Sequence, residues 1–471
     1  MPNVIVVGYG PAGASAAIAA HDAGHSVVIV EATGHGGGNA LYSGGFLFDL
    51  PDEYVLDHLE ALCFGRTDHA VLDAYARGLH DIDRWLISLG GSTVAFEPPP
   101  MRLPAPFPSW PHLDSGRHIN YRVVAGGDGR RGEALWSLLD AAVRSRDIPV
   151  RFDTAARELV IEDGGVVGLV IEHEGERSTI STDGGVILAC GGFEGTPGLA
   201  DAYLPLGHTS PVGHAANTGR GLLMAQSAGA ALWHMYGFFG WFAFRTPDFA
   251  APFAIDFFGA GHIFVDADGR RFADETGYEV HDRLRALLTY LPRNANRPRL
   301  PSWGVFDEST RLAGPLNGLL GTPNDYRWSA DNADEIASGW IAAADSVDEL
   351  ADRMGVDSAV LAGTIAEYNG YAAAGRDDRF GRCADTLVPM DTTRLYAIKT
   401  WPGIAGTTGG PRHDERARVL RPDGSAIPGL YAAGAVSMVW GHLIDHGGGL
   451  TNAIVFGRIA GAEAAAITKV G

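Results

Sequence analysis

The residues near the amino terminus have the types and spacing needed to bind a dinucleotide. Gly8, Gly10 and Gly13 form a Gly-x-Gly-x-x-Gly turn directly behind the apolar run 4–7. Glycines let the backbone approach a pyrophosphate, and the helix that follows offers its positive N-terminus. Glu31 closes a second apolar run, at a position where a carboxylate accepts hydrogen bonds from ribose hydroxyls. The pattern therefore predicts a βαβ unit that binds a dinucleotide.

A second group, near the carboxyl terminus, has residue types that handle protons. His446 directly precedes three glycines, and an imidazole changes its charge near neutral pH. It could donate to a carbonyl or act as an acid or base, or it could be a loop histidine bonded to backbone. His442 and His446, with Asp445 between them, also have spacing suited to a metal ligand pair on a helix. The adjacent glycines indicate a loop instead, so we predict no metal site.

The elements that must position these residues lie at both ends of the chain. A strand followed by a glycine turn occurs at the start and again at 430–434, while nine of the 20 Phe residues fall within 233–264. This predicts an α/β fold in which a discontinuous Rossmann-like domain, formed by residues 1–231 and 404–471, carries an inserted α+β capping domain at 232–403. The aromatic residues either fill the core of the cap or line a pocket for a bulky apolar substrate. Seven prolines within 98–111 predict a surface loop or a wall of the substrate entrance.

Composition limits the partners that the protein can have. The net charge of −20 over 471 residues argues against binding nucleic acid or anionic membranes. No apolar run is long enough to span a bilayer, and the first strand begins at about residue 3, which leaves no room for a signal peptide. We therefore expect a cytoplasmic protein without a membrane span. Cys63, Cys190 and Cys383 are far apart and predict no disulfide framework, zinc site or attached haem.

The remaining glycines favour FAD over a nicotinamide dinucleotide. Glycine-rich segments recur at 36–45, 409–410 and 447–449, so the backbone must approach something large and flat in several places. The last segment opens the final helix, whose N-terminus would stabilise the negative charge of a reduced flavin. The sequence has no second Gly-x-Gly-x-x-Gly unit for a nicotinamide partner.

These motifs carry a resemblance to a known superfamily. From about residue 4 to 465, the chain resembles the FAD-dependent fumarate reductase and 3-ketosteroid dehydrogenase superfamily, in the stretches 37–45, 188–193, 218–221, 269–272, 407–410, 428–434 and 456–458. The resemblance implies a substrate held between an FAD domain and a cap. It implies non-covalent FAD, because the histidine that some relatives bond to flavin has no counterpart. The cofactor-binding residues that the motifs and the resemblance predict are Gly8, Gly10, Pro11, Ala12, Gly13, Glu31, Ala32, Gly37, Gly38, Asn39, Ala40, Ser43, Gly44, Gly45, Gly192, Thr218, Gly434, Gly449, Leu450 and Thr451.

The resemblance also suggests catalytic residues. Arg311 occupies the position of the proton-donating arginine of fumarate reductases, and Glu275 occupies that of its partner base. The alternative is that Arg311 forms only an ion pair. Tyr278 and His281 are further candidates near the same wall, and His446 lies near the position of the tyrosine of steroid dehydrogenases. Ala435 and Arg220 stand where relatives usually carry an acid, so their contacts with FAD are left open.

Relatives move a hydride between flavin N5 and a carbon of a C–C bond beside a carbonyl. Ala405 and Gly406 stand where fumarate reductases have two histidines, so the histidine that grips carboxylates is absent, which favours a larger and less charged substrate. We therefore expect an FAD-dependent dehydrogenase or reductase acting on CH–CH groups of a ketosteroid-like or cyclic ketone or enone substrate, with a separate, unidentified electron donor or acceptor. The alternatives are an enzyme like fumarate reductase or tricarballylate dehydrogenase, a flavin monooxygenase, and a noncatalytic flavin carrier.

Overall fold

A six-stranded sheet joins the amino-terminal and carboxyl-terminal parts of the chain. The computed structural model describes residues 1–96, 110, 113–126, 131–276, 279–289, 299–318 and 322–466. In spatial order the strands are Arg418–Leu420, Ala426–Ala432, Gly185–Leu188, Val4–Val7, Val27–Val30 and Val150–Arg151. Neighbours run parallel except the first pair, which is antiparallel. The three central strands are buried along their whole length, as expected for a sheet covered on both faces. The predicted α/β class with a Rossmann-like parallel sheet is confirmed.

Two helices rich in small side chains pack closely beside this sheet. Pro11–Asp22 follows the first glycine turn, and Gly448–Ala465 follows the last one. A Cβ atom on Gly457 would lie 2.5 Å from the carbonyl oxygen of Ala12, and one on Gly461 would lie 2.2 Å from that of Ala16. Only glycine allows backbones to approach this closely. The two glycine turns are therefore held at fixed positions relative to each other.

The chain also forms smaller sheets and further helices. Thr154–Glu162, Gly165–His173 and Glu176–Ser181 form one antiparallel sheet, and Leu47–Asp49, Asn120–Val124 and Thr93–Ala95 form another. Leu232–Trp233 pairs with Gly410–Pro411. The helices are Asp52–Cys63, His69–Ser88, Arg131–Arg144, Pro197–Tyr203 and Arg220–Ser227, with 3₁₀ segments at Gly38–Tyr42, Ser115–Arg117 and Gly434–Val436.

A seven-stranded sheet organises the region that the sequence assigns to a cap. Its centre is one long strand, Leu395–Thr407. The first half of that strand pairs with Ser302–Asp307 and Ile341–Ala344, and its second half pairs with Phe238–Phe244 and Ser210–Pro211. His262–Val265 and Phe253–Ala254 lie at the edges. Around the sheet lie helices Glu308–Arg311, Ala333–Ala337, Val347–Met354 and Ser358–Ala374, with 3₁₀ segments Val280–Leu288 and Ala384–Thr386.

The aromatic segment contributes both to a buried core and to the lining of a cavity. Phe238, Phe242, Phe253 and other buried aromatics form the core beside the seven-stranded sheet. Phe239 and Trp241, which alternate with them along the strand, line a cavity instead. Among the described residues, no helix is long and apolar enough to cross a membrane.

Candidate functional site

One large cavity runs from the first glycine turn to the strand Phe238–Phe244. Its volume is ≈ 720 Å³, within the range of small-molecule sites. It lies beyond the carboxyl ends of the parallel strands, where open α/β sheets bind their ligands. Most of the predicted cofactor residues line it: Gly8, Gly10, Pro11, Ala12, Glu31, Ala32, Gly38, Asn39, Ala40, Ser43, Gly44, Gly45, Thr218, Gly434, Gly449 and Leu450. Arg220 and Ala435, left open by the sequence, line it as well.

Gly13, Gly37, Gly192 and Thr451 are not among the lining residues. A Cβ atom on Gly13 would lie 1.9 Å from the carbonyl oxygen of Gly8, so the first turn can close only with glycine there. The φ angle of Gly37 is +114°, and its backbone N–H donates to the carbonyl of Tyr9. The hydroxyl of Thr451 donates to the Gly447 carbonyl at 3.0 Å.

Glu31 lines the cavity and is held firmly in place. Its Oε2 accepts from the backbone N–H of Tyr9 at 2.8 Å, and its Oε1 accepts from the backbone N–H and hydroxyl of Thr33 at 2.9 and 2.7 Å. A carboxylate has about four lone-pair sites. One site on Oε2 therefore remains to accept from a ligand hydroxyl.

The other end of the cavity is mainly apolar. Phe46, Phe239 and Trp241 face it together with Ser43–Gly45 and Ile444–Gly447. The arginines among the described lining residues, Arg157 and Arg220, belong to neither of these groups. A ligand at this end meets aromatic faces and has no guanidinium partner within the described lining.

Two histidines supply the polar groups of this apolar end. His281 and His446 both line the cavity, and their ring centroids are 4.2 Å apart. Glu279, whose side chain is fully buried, joins them. Its Oε1 accepts from Nδ1 of His281 at 2.7 Å and from Nδ1 of His446, and its Oε2 accepts from the backbone N–H of His281 at 2.7 Å. These three residues also have ligand atoms close enough to hold a metal ion.

The environment separates the proton affinities of the two rings. Burial lowers the pKa of His446, and so does its neighbour His281, against the opposing effect of Glu279. Burial also favours neutral His281, but the charge and hydrogen bond of Glu279 prevail and raise the pKa of His281. Burial works against ionisation of Glu279, yet both rings together hold its pKa below the usual range. At neutral pH the arrangement favours a carboxylate, a charged His281 and a neutral His446.

Asp445 holds the loop that presents His446. Its Oδ1 accepts from the backbone N–H of His446 at 2.8 Å and from the hydroxyl of Tyr121 at 2.9 Å. Its Oδ2 lies 3.0 Å from Nε2 of His58, and both side chains of that pair are completely buried. The other ring nitrogen of His58 lies 2.9 Å from the hydroxyl of Ser115. This buried network fixes the direction of the loop.

The structure places Arg311 and Glu275 with other partners. The guanidinium of Arg311 donates to both oxygens of Glu308 at 2.6 Å and to the carbonyl of Asp331 at 2.6 Å. Glu275 is buried and is bound by Arg271 at 2.8 Å and Arg382 at 3.1 Å. Neither is among the described lining residues of the cavity, and each is paired with an opposite charge three or four positions away in sequence. The proton relay between Arg311 and Glu275 that the resemblance implies is not assembled here.

Two of the sequence predictions fall outside the described residues. Tyr278 is one, and residues 98–109 and 111 of the proline-rich segment are the other. Sequence reasoning missed Glu279 and the structural role of Asp445, and it did not single out Phe239 and Trp241 within the aromatic segment that it suggested could line a pocket. The signal for Glu279 was weak, since an acid two residues before a histidine is also typical of an ordinary helix cap.

Comparison with known proteins identifies relatives. A family model described as an FAD binding domain matches residues 3–451. A 3-oxosteroid 1-dehydrogenase of Mycolicibacterium smegmatis is 29% identical over 98% of this chain and 97% of its own length. A probable fumarate reductase of Shewanella frigidimarina is 28% identical over 98% of this chain and 74% of its own length. The crystal structure of 3-ketosteroid delta1-dehydrogenase from Sterolibacterium denitrificans, in complex with 1,4-androstadiene-3,17-dione, has a TM-score of 0.85 at 23% identity, covers 99% of both chains and shares the fold. The resemblance inferred from the motifs is confirmed.

Proposed function

The chain belongs to the FAD binding domain family and is an FAD-dependent oxidoreductase acting on CH–CH groups, and on that premise we propose that its substrate is a bulky, mostly apolar ketone. The bond that is dehydrogenated, or reduced in the reverse direction, lies next to the carbonyl. The proposed substrate class is ketosteroid-like or another cyclic ketone or enone.

The residues of the cavity fit FAD. The first glycine turn leaves open backbone at Gly10, where an added Cβ would meet nothing closer than 3.8 Å. Helix Pro11–Asp22 has no side-chain cap at its N-terminus, so its first N–H groups are available to a pyrophosphate. Helix Gly448–Ala465 also lacks a side-chain cap, and Gly449 and Leu450 in its first turn line the cavity. Glu31 retains acceptor capacity for a ribose hydroxyl, as described above.

Bound FAD supplies two-electron hydride chemistry. The residues of this chain do the rest. Phe46, Phe239 and Trp241 exclude water from the reacting end and offer flat faces to a ring system. His281 and His446 hold protons at the same wall, within reach of a polar group on the substrate. Holding the proton-transfer groups and the reacting carbon together contributes much of the rate in such a reaction.

The observation that carries the proposal is the chemistry of the apolar end. It combines three aromatic side chains with two imidazoles, and its described lining includes no guanidinium. A small dicarboxylate needs charge-assisted hydrogen bonds from cations to bind well. Arg157 and Arg220 line the cavity among other residues, and Arg157 is paired with Glu172 at 2.6 Å. Within the described lining of the apolar end, a charged His281 can pair with one carboxylate, which leaves the second carboxylate of a dicarboxylate without a cation there.

Three further parts of the proposal, namely the binding mode of FAD, the domain division and the electron partner, come from the sequence analysis. We propose that FAD is bound non-covalently, which release of the flavin on denaturation would test. We also propose the domain division given above, with residues 1–231 and 404–471 holding FAD and 232–403 capping it. The electron donor or acceptor is a separate molecule.

The test is an anaerobic titration of the oxidised holoenzyme. Candidate cyclic ketones, succinate and tricarballylate are added separately while the flavin absorbance is followed. We expect bleaching by a cyclic ketone and none by the carboxylic acids. Bleaching by succinate alone would overturn the proposal and favour the dicarboxylate alternative. Trp241→Leu, which removes one aromatic wall, should weaken ketone binding, while Trp303→Leu in the cap sheet is the matched control because Trp303 does not line the cavity.

A further inference from the structure

We propose that Glu194 is a positioning residue that turns the side-chain amides of Asn39 and Asn217 so that their oxygens face the cavity and bind hydroxyl groups on the ribityl chain of FAD. Glu194 is 3% exposed and is not among the described lining residues. It acts through the two asparagines, both of which line the cavity. The inference concerns recognition of the cofactor and goes beyond the proposed function, because it holds whichever substrate the enzyme oxidises or reduces.

The first observation is which end of each amide faces Glu194. Oε1 of Glu194 accepts from Nδ2 of Asn217 at 2.7 Å and, more weakly, from Nδ2 of Asn39 at 3.4 Å. A carboxyl oxygen that accepts in this way attracts the NH₂ group of an amide and repels its oxygen. The nitrogen ends of both asparagines therefore point toward Glu194.

The oxygen ends of the two amides lie against glycines of the cavity wall. A Cβ atom on Gly191 would lie 2.1 Å from Oδ1 of Asn217, and one on Gly213 would lie 2.4 Å from Oδ1 of Asn39. Both glycines line the cavity. A side chain at either position would displace an amide oxygen, so the two glycines leave room for two acceptors in the wall.

The other hydrogen bonds of Asn39 fix its amide and leave acceptor capacity. Its Nδ2 also donates to the carbonyl of Ala405 at 2.8 Å, and its Oδ1 accepts from the backbone N–H of His214 at 2.6 Å. Glu194 and Ala405 thus occupy both N–H donors of the amide. An amide oxygen accepts more than one hydrogen bond, so Oδ1 can still accept from a ligand. Asn39 therefore offers the ligand an acceptor and not a donor.

Glu194 is itself held through its other oxygen. The hydroxyl of Thr407 donates to Oε2 at 3.2 Å and accepts from the backbone N–H of Phe193 at 3.0 Å. A Cβ atom on Gly192 would lie 2.4 Å from Oε2, so the carboxyl group fits closely against the backbone. Burial raises the pKa of Glu194 to about 7, and a proton on Oε2 would leave Oε1 as an acceptor. The direction of the two amides therefore does not depend on the charge of Glu194.

The place of this wall along the cavity identifies the part of FAD that it meets. One side adjoins the first glycine turn, since a Cβ atom on Gly8 would lie 2.7 Å from Cα of Cys190, the neighbour of Gly191. The other side adjoins the aromatic end, since the strand that contains Ala405 pairs with Phe238–Phe244. The glycine turn fits a pyrophosphate, and the aromatic end fits a flavin ring. In FAD the ribityl chain joins these two groups, and its hydroxyls are donors that suit a wall of acceptors.

The experiment compares FAD with analogues in which one ribityl hydroxyl is replaced by hydrogen. The holoenzyme is incubated with an excess of FAD and one analogue in equal amounts, and the flavins that remain bound are separated and counted by chromatography. Exchange is complete when isotopically labelled FAD, added to a parallel sample, has replaced the original flavin. We expect the native protein to prefer FAD over at least one analogue by about 5–10-fold, the contribution of one hydrogen bond. This ratio is unaffected by a general loss of stability, which weakens the binding of both flavins alike.

Two substitutions of Glu194 separate its hydrogen bonds from its size. Glu194→Gln keeps an oxygen toward both amides and turns its NH₂ group toward Thr407, so it should retain the preference for FAD. Glu194→Leu fills much of the same space without an acceptor, so the amides can turn over and the preference should disappear. Glu335→Leu is the matched control and should retain the preference. Glu335 is also buried, but its partners Tyr326 and Ser329 are not among the described lining residues.

Three results would overturn the inference. The first is equal binding of FAD and every deoxyribityl analogue by the native protein, and it needs no variant, so it applies even where Glu194→Leu does not fold. The second is a preference retained in Glu194→Leu, since the amides would then need no acceptor behind them. The third is a preference lost in Glu194→Gln, since the charge of Glu194 would then be what matters. No substrate takes part in this experiment, so failure of every ketone to bleach the flavin would refute the proposed function alone.

Discussion

Glu279→Gln removes the charge that separates the two histidines and should invert the state of His281. A unit charge about 4 Å away at an effective dielectric of about 20 contributes about 4 kcal/mol. Since one pKa unit corresponds to about 1.4 kcal/mol, the pKa of His281 should fall by up to about 3 units. Glutamine keeps an oxygen acceptor, so we expect a fall of about 1–3 units. Burial, opposed then by the smaller effects of Asp282 and Asp445, would leave His281 neutral at pH 7.

The assay is NMR of protein labelled at the imidazole carbon of its 17 histidines. His281→Asn identifies the signal by its disappearance, and the chemical shift is followed against pH. Glu308→Gln is the control, because Glu308 is paired with Arg311 at 2.6 Å and does not line the cavity. An unchanged or raised pKa of His281 in Glu279→Gln would refute the electrostatic reasoning.

The same substitution has a stability signature of defined sign. The raised pKa of His281 stabilises the native state below the ordinary histidine pKa, and this contribution is lost as pH rises through the folded value. The lowered pKa of Glu279 stabilises the native state above the ordinary glutamate pKa, and this is lost as pH falls through the folded value. The native protein should therefore exceed Glu279→Gln in stability most clearly between about pH 4.5 and 6.5. Urea midpoints across that range measure the difference.

Three further predictions test other parts of the structure. Gly13→Ala should purify without flavin colour, because its Cβ would lie 1.9 Å from the Gly8 carbonyl oxygen; a fully yellow variant would contradict this. Arg311→Gln should still be bleached by the ketone substrate, since Arg311 is bound to Glu308; lost bleaching with flavin retained would restore the role that the resemblance implied. Asp445→Ala should lower the urea midpoint by the equivalent of about 2–5 kcal/mol, because buried donors lose their acceptor; an unchanged midpoint would show that the network is dispensable.

The sequence predicts the cofactor end well because its signals are local. The glycines of the first turn and Glu31 each follow a strand that the sequence shows as a short apolar run. The turn must also close within a few residues, so its glycines are recognisable from the sequence alone. The close helix packing at Gly457 and Gly461 follows from small residues in the same way.

The reacting end depends on contacts between distant residues. Glu279 and His446 are separated by 167 positions, and His58 and Asp445 by 387. A local sequence pattern therefore predicts neither contact. Arg311 shows the opposite problem. Its position matches a family motif, but Glu308 in the same short helix supplies a partner that the motif does not reveal.

The long strand Leu395–Thr407 connects the seven-stranded sheet with residues at the wall of the cavity. It anchors the cap sheet, yet its Ala405 carbonyl accepts from Asn39 at 2.8 Å, and its Thr407 hydroxyl accepts from the backbone of Phe193 at 3.0 Å. A shift of this strand would therefore move the acceptor of Asn39, which lines the cavity. A bound ligand that is neither oxidised nor reduced should therefore still change the absorbance of the flavin, because a shift of this strand would move Asn39.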